Sequence, residues 1–366
     1  AITRSEGRAA CSGKAPSMIC WRKASTICRN RGAEGALVGL GWGKYRVSFA
    51  RFYFVYHRAW YIPREMLVYT RLRKGMDMAY LTEDQKAQFW RDGFLVVAEA
   101  VRADQLADLR RVFSGWVEES RAHGADYGET LDGRPRFDLQ PGHSAEVPGL
   151  RRVQSPEEVS EIFADTMRSA RTVDFCAELI GPGLRFHHGK VNSKLPGTAT
   201  KVKWHQDFPF EPMTNDDMIT ALLFIDDVTL ENGPLEVIPG THKGPIHSHW
   251  QNGTFTGAVA DNVMAGRESE IVKCTGKAGS VCLMHARLLH GSAPNLSDHA
   301  RTLYITTYYA EDAIELSPNH LPSTLTHELV RGEVSGRVRC SPYQMELPEV
   351  PEGTSFFAQQ ESTDAG

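Results

Sequence analysis

The sequence predicts an α+β chain in which supporting helices precede a strand-rich half shaped like a jelly roll. Helical periodicity and capping signals lie between Met78 and about Ile180. From Leu184 the pattern changes to short apolar runs between turn signals such as Asn232-Gly233 and Pro239-Gly240. Helices first and many short strands later indicate α+β organisation, and the strand half suits a jelly roll.

Each element has a local reason. Thr82-Glu83-Asp84-Gln85 reads as a capping box that opens a helix ending at Gly93. Phe94 to Ala98 reads as a short strand. A second helix is expected from about Ala103 to Arg121, with Leu106, Leu109, Phe113 and Trp116 at helical spacing. Residues 122 to 150 are charged and rich in Gly and Pro, and read as loop. Ser155-Pro156-Glu157-Glu158 should start a third helix, with Pro in the first turn where its missing N–H does no harm. That helix runs, broken or continuous, to about Ile180 and stops at Gly181-Pro182-Gly183. Expected strands are Arg185 to Ser193, Met218 to Asp226, Leu235 to Ile238, Ile271 to Lys273, Ser280 to Met284 and Arg301 to Tyr309. Residues 241 to 270 lack clear periodicity and are long for a plain connection, so they read as a lid near a barrel mouth.

Charge is distributed unevenly over the 366 residues. Residues 1 to 75 contain 15 Lys and Arg against three acids, Glu6, Glu34 and Glu65, which leaves 26 basic and 42 acidic residues for the remainder. The acidic body gives no reason to expect nucleic-acid binding. Basic residues interrupt every apolar run of the first segment, so no stretch suits a membrane span. That segment is read as disordered or outside the working protein, with a catalytic domain over 76–345 and a flexible tail, rich in Pro, Glu, Gln and Ser, over 346–366. Seven cysteines form no Cys-x-x-Cys and no regular framework. Cys274 and Cys282 are placed on neighbouring strands without a required bridge. A reducing cytoplasm is the expectation, with mitochondria the alternative if the Arg-rich, acid-poor first segment is a transit peptide. Nothing in the sequence points to an obligate protein partner.

The chemistry centres on Trp204-His205-Gln206-Asp207. On an extended strand, His205 and Asp207 would point to the same face. One imidazole and one carboxylate are two thirds of a facial triad for non-haem Fe(II). His290 is the best third ligand because Gly291, Ser292 and Arg301 follow it. An arginine on the next strand can grip a carboxylate through a two-pronged hydrogen bond, as 2-oxoglutarate beside iron would require.

These residues carry a resemblance. The ordered set His205, Asp207, His290 and Arg301 resembles the phytanoyl-CoA dioxygenase-like family of Fe(II)/2-oxoglutarate-dependent oxygenases. So do His-Gln-Asp-Phe-Pro-Phe-Glu-Pro (205–212), Glu-Asn-Gly-Pro-Leu-Glu-Val-Ile-Pro-Gly-Thr-His-Lys-Gly (231–244) and His-Gly-Ser (290–292). The resemblance extends from about Leu81 to about Ala310. It implies a double-stranded β-helix (jelly roll, cupin-like) core with N-terminal supporting helices. It also implies hydroxylation of a small organic substrate with O2, release of succinate and CO2, and ascorbate as a supporting reductant. His205, Asp207 and His290 would hold the iron, and Arg301 the 2-oxoglutarate. Ser292, Lys194 and Arg152 match the positions of further cosubstrate contacts. A carboxylate at Asp207 argues for hydroxylation, since halogenating relatives have a small residue there. The substrate is not legible, because a fold hosts many chemistries.

Rival readings are a non-catalytic small-molecule-binding jelly roll and a cupin-type metalloenzyme independent of 2-oxoglutarate. His285 competes for the third ligand but lacks the His-Gly-Ser context. His247-Ser248-His249 has cupin-like spacing but no Glu at a useful distance. His187 and His188 are adjacent, so they should face opposite sides of a strand, with no ligand role required of either.

Overall fold

The structure is a computed structural model that describes residues 79–196 and 201–349. The expectations for residues 1–75, and for most of the tail, lie outside the described residues. No helix among the described residues is long and apolar enough to cross a membrane.

The capping box forms as the local sequence dictates. Thr82 accepts from the Gln85 amide and Gln85 reaches back to the Thr82 amide, opening α1 (Glu83–Asp92). Gly93 closes α1 in the left-handed region at φ +83°, which favours glycine. β1 (Phe94–Val97) follows, then α2 (Ala103–Ser120). Leu109, Phe113 and Trp116 form the buried stripe of α2.

Two elements differ from expectation. Residues 122 to 150 contain β2 (Phe137–Leu139) and lead into β3 (Leu150–Gln154). The alternation of β2 is hidden because its polar residue is buried and paired: Asp138 lies 2.8 Å from Arg151. Ser155 does not cap a helix. It sits at φ +45° before a single 3-10 turn over Pro156–Glu158, and α3 (Glu161–Ser169) starts only afterwards. Ala170, extended at ψ 153°, separates α3 from α4 (Arg171–Ile180).

The strands then follow: β4 (Leu184–Lys194), β5 (Val202–His205), β6 (Met218–Phe224), β7 (Leu235–Val237), β8 (Trp250–Gln251), β9 (Thr254–Phe255), β10 (Val272–Cys274), β11 (Val281–His285), β12 (His290–Ser292), β13 (Arg301–Ala310) and β14 (Leu329–Arg331). An eight-stranded sheet has the order β1-β11-β6-β13-β4-β3-β2, with β14 also on β4, and a four-stranded sheet has the order β10-β7-β12-β5. Neighbours pair antiparallel. The expected lid region holds the small β8–β9 hairpin between 3-10 turns. Cys274 and Cys282 belong to different sheets rather than to neighbouring strands, and both are free.

The large sheet is buried on both faces, so every residue of β13 is buried. Its outer face packs under the helices in one core that joins Leu109, Phe113, Trp116 and Phe163 to Val191, Leu223, Tyr304 and Tyr308. Each large apolar side chain buried there contributes about 1.5–3 kcal/mol. Tyr304 and Tyr308 both donate into α3, to the carbonyls of Phe163 and Met167 at 3.2 and 2.8 Å. The alternating residues Arg301, Leu303, Ile305 and Thr307 face the space between the sheets instead.

Candidate metal centre

β5 and β12 bring the first histidines together. His205 and His290 are directly opposed across this antiparallel pair, and their ring centroids are 4.0 Å apart. Asp207 arrives differently from expectation. The strand ends at His205, and Asp207 adopts helical dihedrals (φ −71°, ψ −39°) at the entry to a 3-10 turn over Phe208–Phe210. Its turned backbone, not alternation along a strand, carries the carboxylate to the imidazoles. Asp207 Oδ1 lies 3.6 Å from His205 Nε2 and 3.5 Å from His290 Nε2.

The hydrogen bonds select one tautomer. His205 Nδ1 lies 2.8 Å from the Lys203 carbonyl, and His290 Nδ1 lies 3.0 Å from the Leu288 carbonyl. A carbonyl only accepts, so each Nδ1 carries the proton and each Nε2 offers a lone pair. Thr220 Oγ1 donates to Asp207 Oδ2 at 2.6 Å and leaves Oδ1 to face the imidazoles. Burial and the neighbouring His290 lower His205 to about 4, which keeps it neutral. Burial alone would raise Asp207, but attraction to His290 and then hydrogen bonding from His205 and His290, when those rings are protonated, hold the carboxyl well below the usual range. Two neutral nitrogens and one carboxylate oxygen, all within 4.8 Å of one another, are the donor set that suits divalent iron.

One cavity between the sheets opens beside these atoms. Along β4 the residues His188, Lys190, Asn192 and Lys194 all line it at the period-two spacing of a strand. Lys194 is the Cα partner of Arg301 on β13. Lys194 Nζ donates to Ser292 Oγ at 2.7 Å and to the Ala293 carbonyl. Arg301 donates from Nε to the Gly233 carbonyl at 3.0 Å, which fixes the plane of its guanidinium. Gly233 is at φ +77°, and a Cβ there would meet the Ala293 carbonyl oxygen at 2.6 Å. Burial lowers Arg301 to about 10, and burial with the nearby Arg301 lowers Lys194 to about 6. Arg152, on β3, is level with Asn192 of β4 rather than with Arg301; its buried Nε has no hydrogen bond.

The competing histidines are placed elsewhere. His285 Nδ1 accepts from the Arg287 amide, and its ring packs against Phe89, Trp90 and His242. His249 Nε2 accepts from the Gln206 amide, so it supports the turn that carries Asp207. His187 and His188 overturn the opposite-face expectation. Thr307 pairs with His188 while Tyr308 pairs with Phe186, so His187 is the extra residue of a β-bulge. The two Nδ1 atoms lie 2.8 Å apart, beside Glu211. Sequence reasoning missed Thr220, because no local signal ties it to Asp207 from another strand. Lys190 and Asn192 were accessible through their spacing from Lys194.

A jelly roll holding two histidines and a carboxylate at a cationic cavity defines a non-haem Fe(II) oxygenase by its architecture and donor set. Residues 89–303 match the family model for phytanoyl-CoA dioxygenase (PhyH), and the chain belongs to this family. It is similar to the "Probable alpha-ketoglutarate-dependent hypophosphite dioxygenase" of Stutzerimonas stutzeri, with 34% identity over 229 residues, 61% of this chain and 77% of that one. It is 28% identical to the L-proline trans-4-hydroxylase of Streptomyces griseoviridis over 246 residues, 62% of this chain and 85% of that one. Its fold is similar to that of EctD from S. alaskensis, solved with 2-oxoglutarate and 5-hydroxyectoine. The TM-score is 0.55 at 22% identity, covering 73% of this chain and 90% of that one. The protein is an Fe(II)/2-oxoglutarate-dependent dioxygenase.

Proposed function

We propose that His205, Asp207 and His290 hold the Fe(II), that Arg301, Ser292, Lys194 and Arg152 hold 2-oxoglutarate, and that the substrate hydroxylated is a small molecule with an anionic group. The convergence of two Nε2 lone pairs and Asp207 Oδ1 at one point supports the metal reading. Bound iron supplies the redox chemistry by which O2 and 2-oxoglutarate give hydroxylated product, succinate and CO2.

The chain's own residues orient and screen. Backbone carbonyls of Lys203 and Leu288 hold the two imidazoles in the ligating tautomer, and Thr220 aims the carboxylate. Arg301 keeps its terminal nitrogens for a carboxylate, since Nε alone is engaged by Gly233. Apolar residues Leu222, Leu235, Met284, Leu303 and Ile305 line the same cavity and exclude water from the reacting atoms.

Charge supports the substrate class. The cavity lining carries Arg134, Arg152, Lys190, Lys194 and Arg301 against two carboxylates, Asp207 and Glu211. Arg134 is paired with Asp132. The iron's two charges and the cosubstrate's two carboxylates cancel, so positive charge remains. Lys190 is where we place the substrate's anionic group. Hypophosphite is an oxyanion and L-proline carries a carboxylate, in keeping with this class. The test is succinate formation from 2-oxoglutarate by the Fe(II)-loaded chain across small oxyanions, amino acids and neutral analogues. Anionic substrates should couple succinate to product one for one. Coupled turnover of neutral compounds only would reject the charge argument, and no dependence on 2-oxoglutarate would reject the cosubstrate site.

A further inference from the structure

The bulge in β4 creates a second donor cluster, outside the first trio. It turns the consecutive imidazoles of His187 and His188 toward one another, against the alternation of a regular strand. The bulge is held in place. The His187 carbonyl accepts from Thr326 Oγ1 at 3.0 Å and from Asn319 Nδ2 at 3.2 Å. Glu211, just beyond the 3-10 turn that follows Asp207, completes the cluster. All three side chains are buried.

The spacing is that of a coordination site. His187 Nδ1 to His188 Nδ1 is 2.8 Å, His187 Nδ1 to Glu211 Oε2 is 2.8 Å, and His188 Nδ1 to Glu211 Oε2 is 3.1 Å. Ligands of one ion with bonds of about 2.0–2.1 Å stand about 2.9 Å apart at right angles and about 3.3 Å apart in a tetrahedron. Glu211 Oε2 is buried, and both Nδ1 atoms stand within 3.1 Å of it. The outer nitrogens are anchored as in metal-bound histidines. His187 Nε2 lies 2.8 Å from Glu315 Oε1, and His188 Nε2 lies 3.3 Å from Thr307 Oγ1.

We propose that His187, His188 and Glu211 form a second binding site for a divalent first-row metal ion, distinct from the trio of His205, Asp207 and His290. Two imidazoles and a carboxylate suit Zn2+ or Fe2+. His188 and Glu211 also line the cavity beside the first trio, so the open positions of this ion face the substrate space. The ligand class for those positions is water or an oxyanion. The competing occupant is a single proton shared between His187, Glu211 and Glu315.

Metal stoichiometry decides between them without any activity assay. The full chain is stripped with chelator, loaded anaerobically with Zn2+, passed over a weak chelating resin and measured by elemental analysis. Two zinc ions per chain are expected in the wild type. One is expected in Glu211→Gln, and one in His205→Ala, which disables the first site only. A single wild-type ion that Glu211→Gln still holds, two ions retained by Glu211→Gln, or none retained by His205→Ala would each overturn the proposal. Should Glu211→Gln fail to fold by circular dichroism, His188→Asn takes its place with the same expectation. Failure of the first trio reads differently, as one wild-type ion that His205→Ala keeps and Glu211→Gln loses.

Discussion

His205 and His290 are directly opposed across β5 and β12, and each commits its Nδ1 proton to the carbonyl two residues before it. This matched pair sets two unprotonated Nε2 atoms on one side of Asp207 Oδ1. In the proposed metal site, imidazoles anchored to backbone carbonyls are already oriented toward the ion.

Replacing either histidine by alanine should therefore abolish turnover while the chain stays folded. The charge-transfer absorption of the anaerobic Fe(II)–2-oxoglutarate complex should be lost at fixed iron, since removing a ligand costs more affinity than the roughly 10- to 100-fold of removing a ligand's partner. Wild-type absorption in either variant would remove that residue from the ligand set.

Thr220→Val keeps shape and removes only the hydroxyl that donates to Asp207 Oδ2 at 2.6 Å. Fe(II) affinity should weaken about 10- to 100-fold, the usual cost of losing the partner of a metal ligand. Thr220→Ser should recover most of it. An anaerobic Fe(II) titration of the three proteins gives the comparison, and equal affinities would leave Thr220 with a packing role alone.

Arg301→Ala should raise the 2-oxoglutarate requirement and spare iron binding at the trio. Loss of one partner from a buried, charge-assisted pair costs about 2–5 kcal/mol, or roughly 30- to several-thousand-fold in affinity. An unchanged apparent KM for 2-oxoglutarate would place the cosubstrate elsewhere in the cavity.

Lys194 makes a pH prediction. Burial, and then the nearby Arg301, lower it to about 6 in the folded chain without cosubstrate. Its unfolded value is the usual 10.5. Between these values the unfolded chain binds more protons, so this group makes stability rise with pH from about 6 to 10.5. A carboxylate bound beside Lys194 favours its charged form. At pH 8, 2-oxoglutarate binding should thus take up about one proton, seen as a buffer-dependent heat in calorimetry. Lys194→Met should bind without uptake. Buffer-independent heats in the wild type would remove Lys194 from the cosubstrate site.

Much of the architecture was legible because its causes are local. The capping box at Thr82, the stripe of Leu109, Phe113 and Trp116, and the strands expected over Arg185 to Ser193 and from Arg301 follow from propensity, capping and periodicity within a few residues. β2 was hidden because its burial depends on the Asp138–Arg151 pair rather than on apolar alternation.

For the site, the residue types together with the family resemblance point to His205, Asp207, His290 and Arg301, and the fold brings the first three together. Their placement was decided by contacts between strands far apart in the chain. The register of β12 on β5 puts His290, and not His285, opposite His205. The turn after β5, rather than an extended strand, delivers Asp207, and Thr220 reaches it from β6. The bulge that joins His187 to His188 depends on pairing with β13, and a period-two pattern assigns those residues to opposite faces. Residue type limits which atoms can bind an ion, and strand register determines which of them meet.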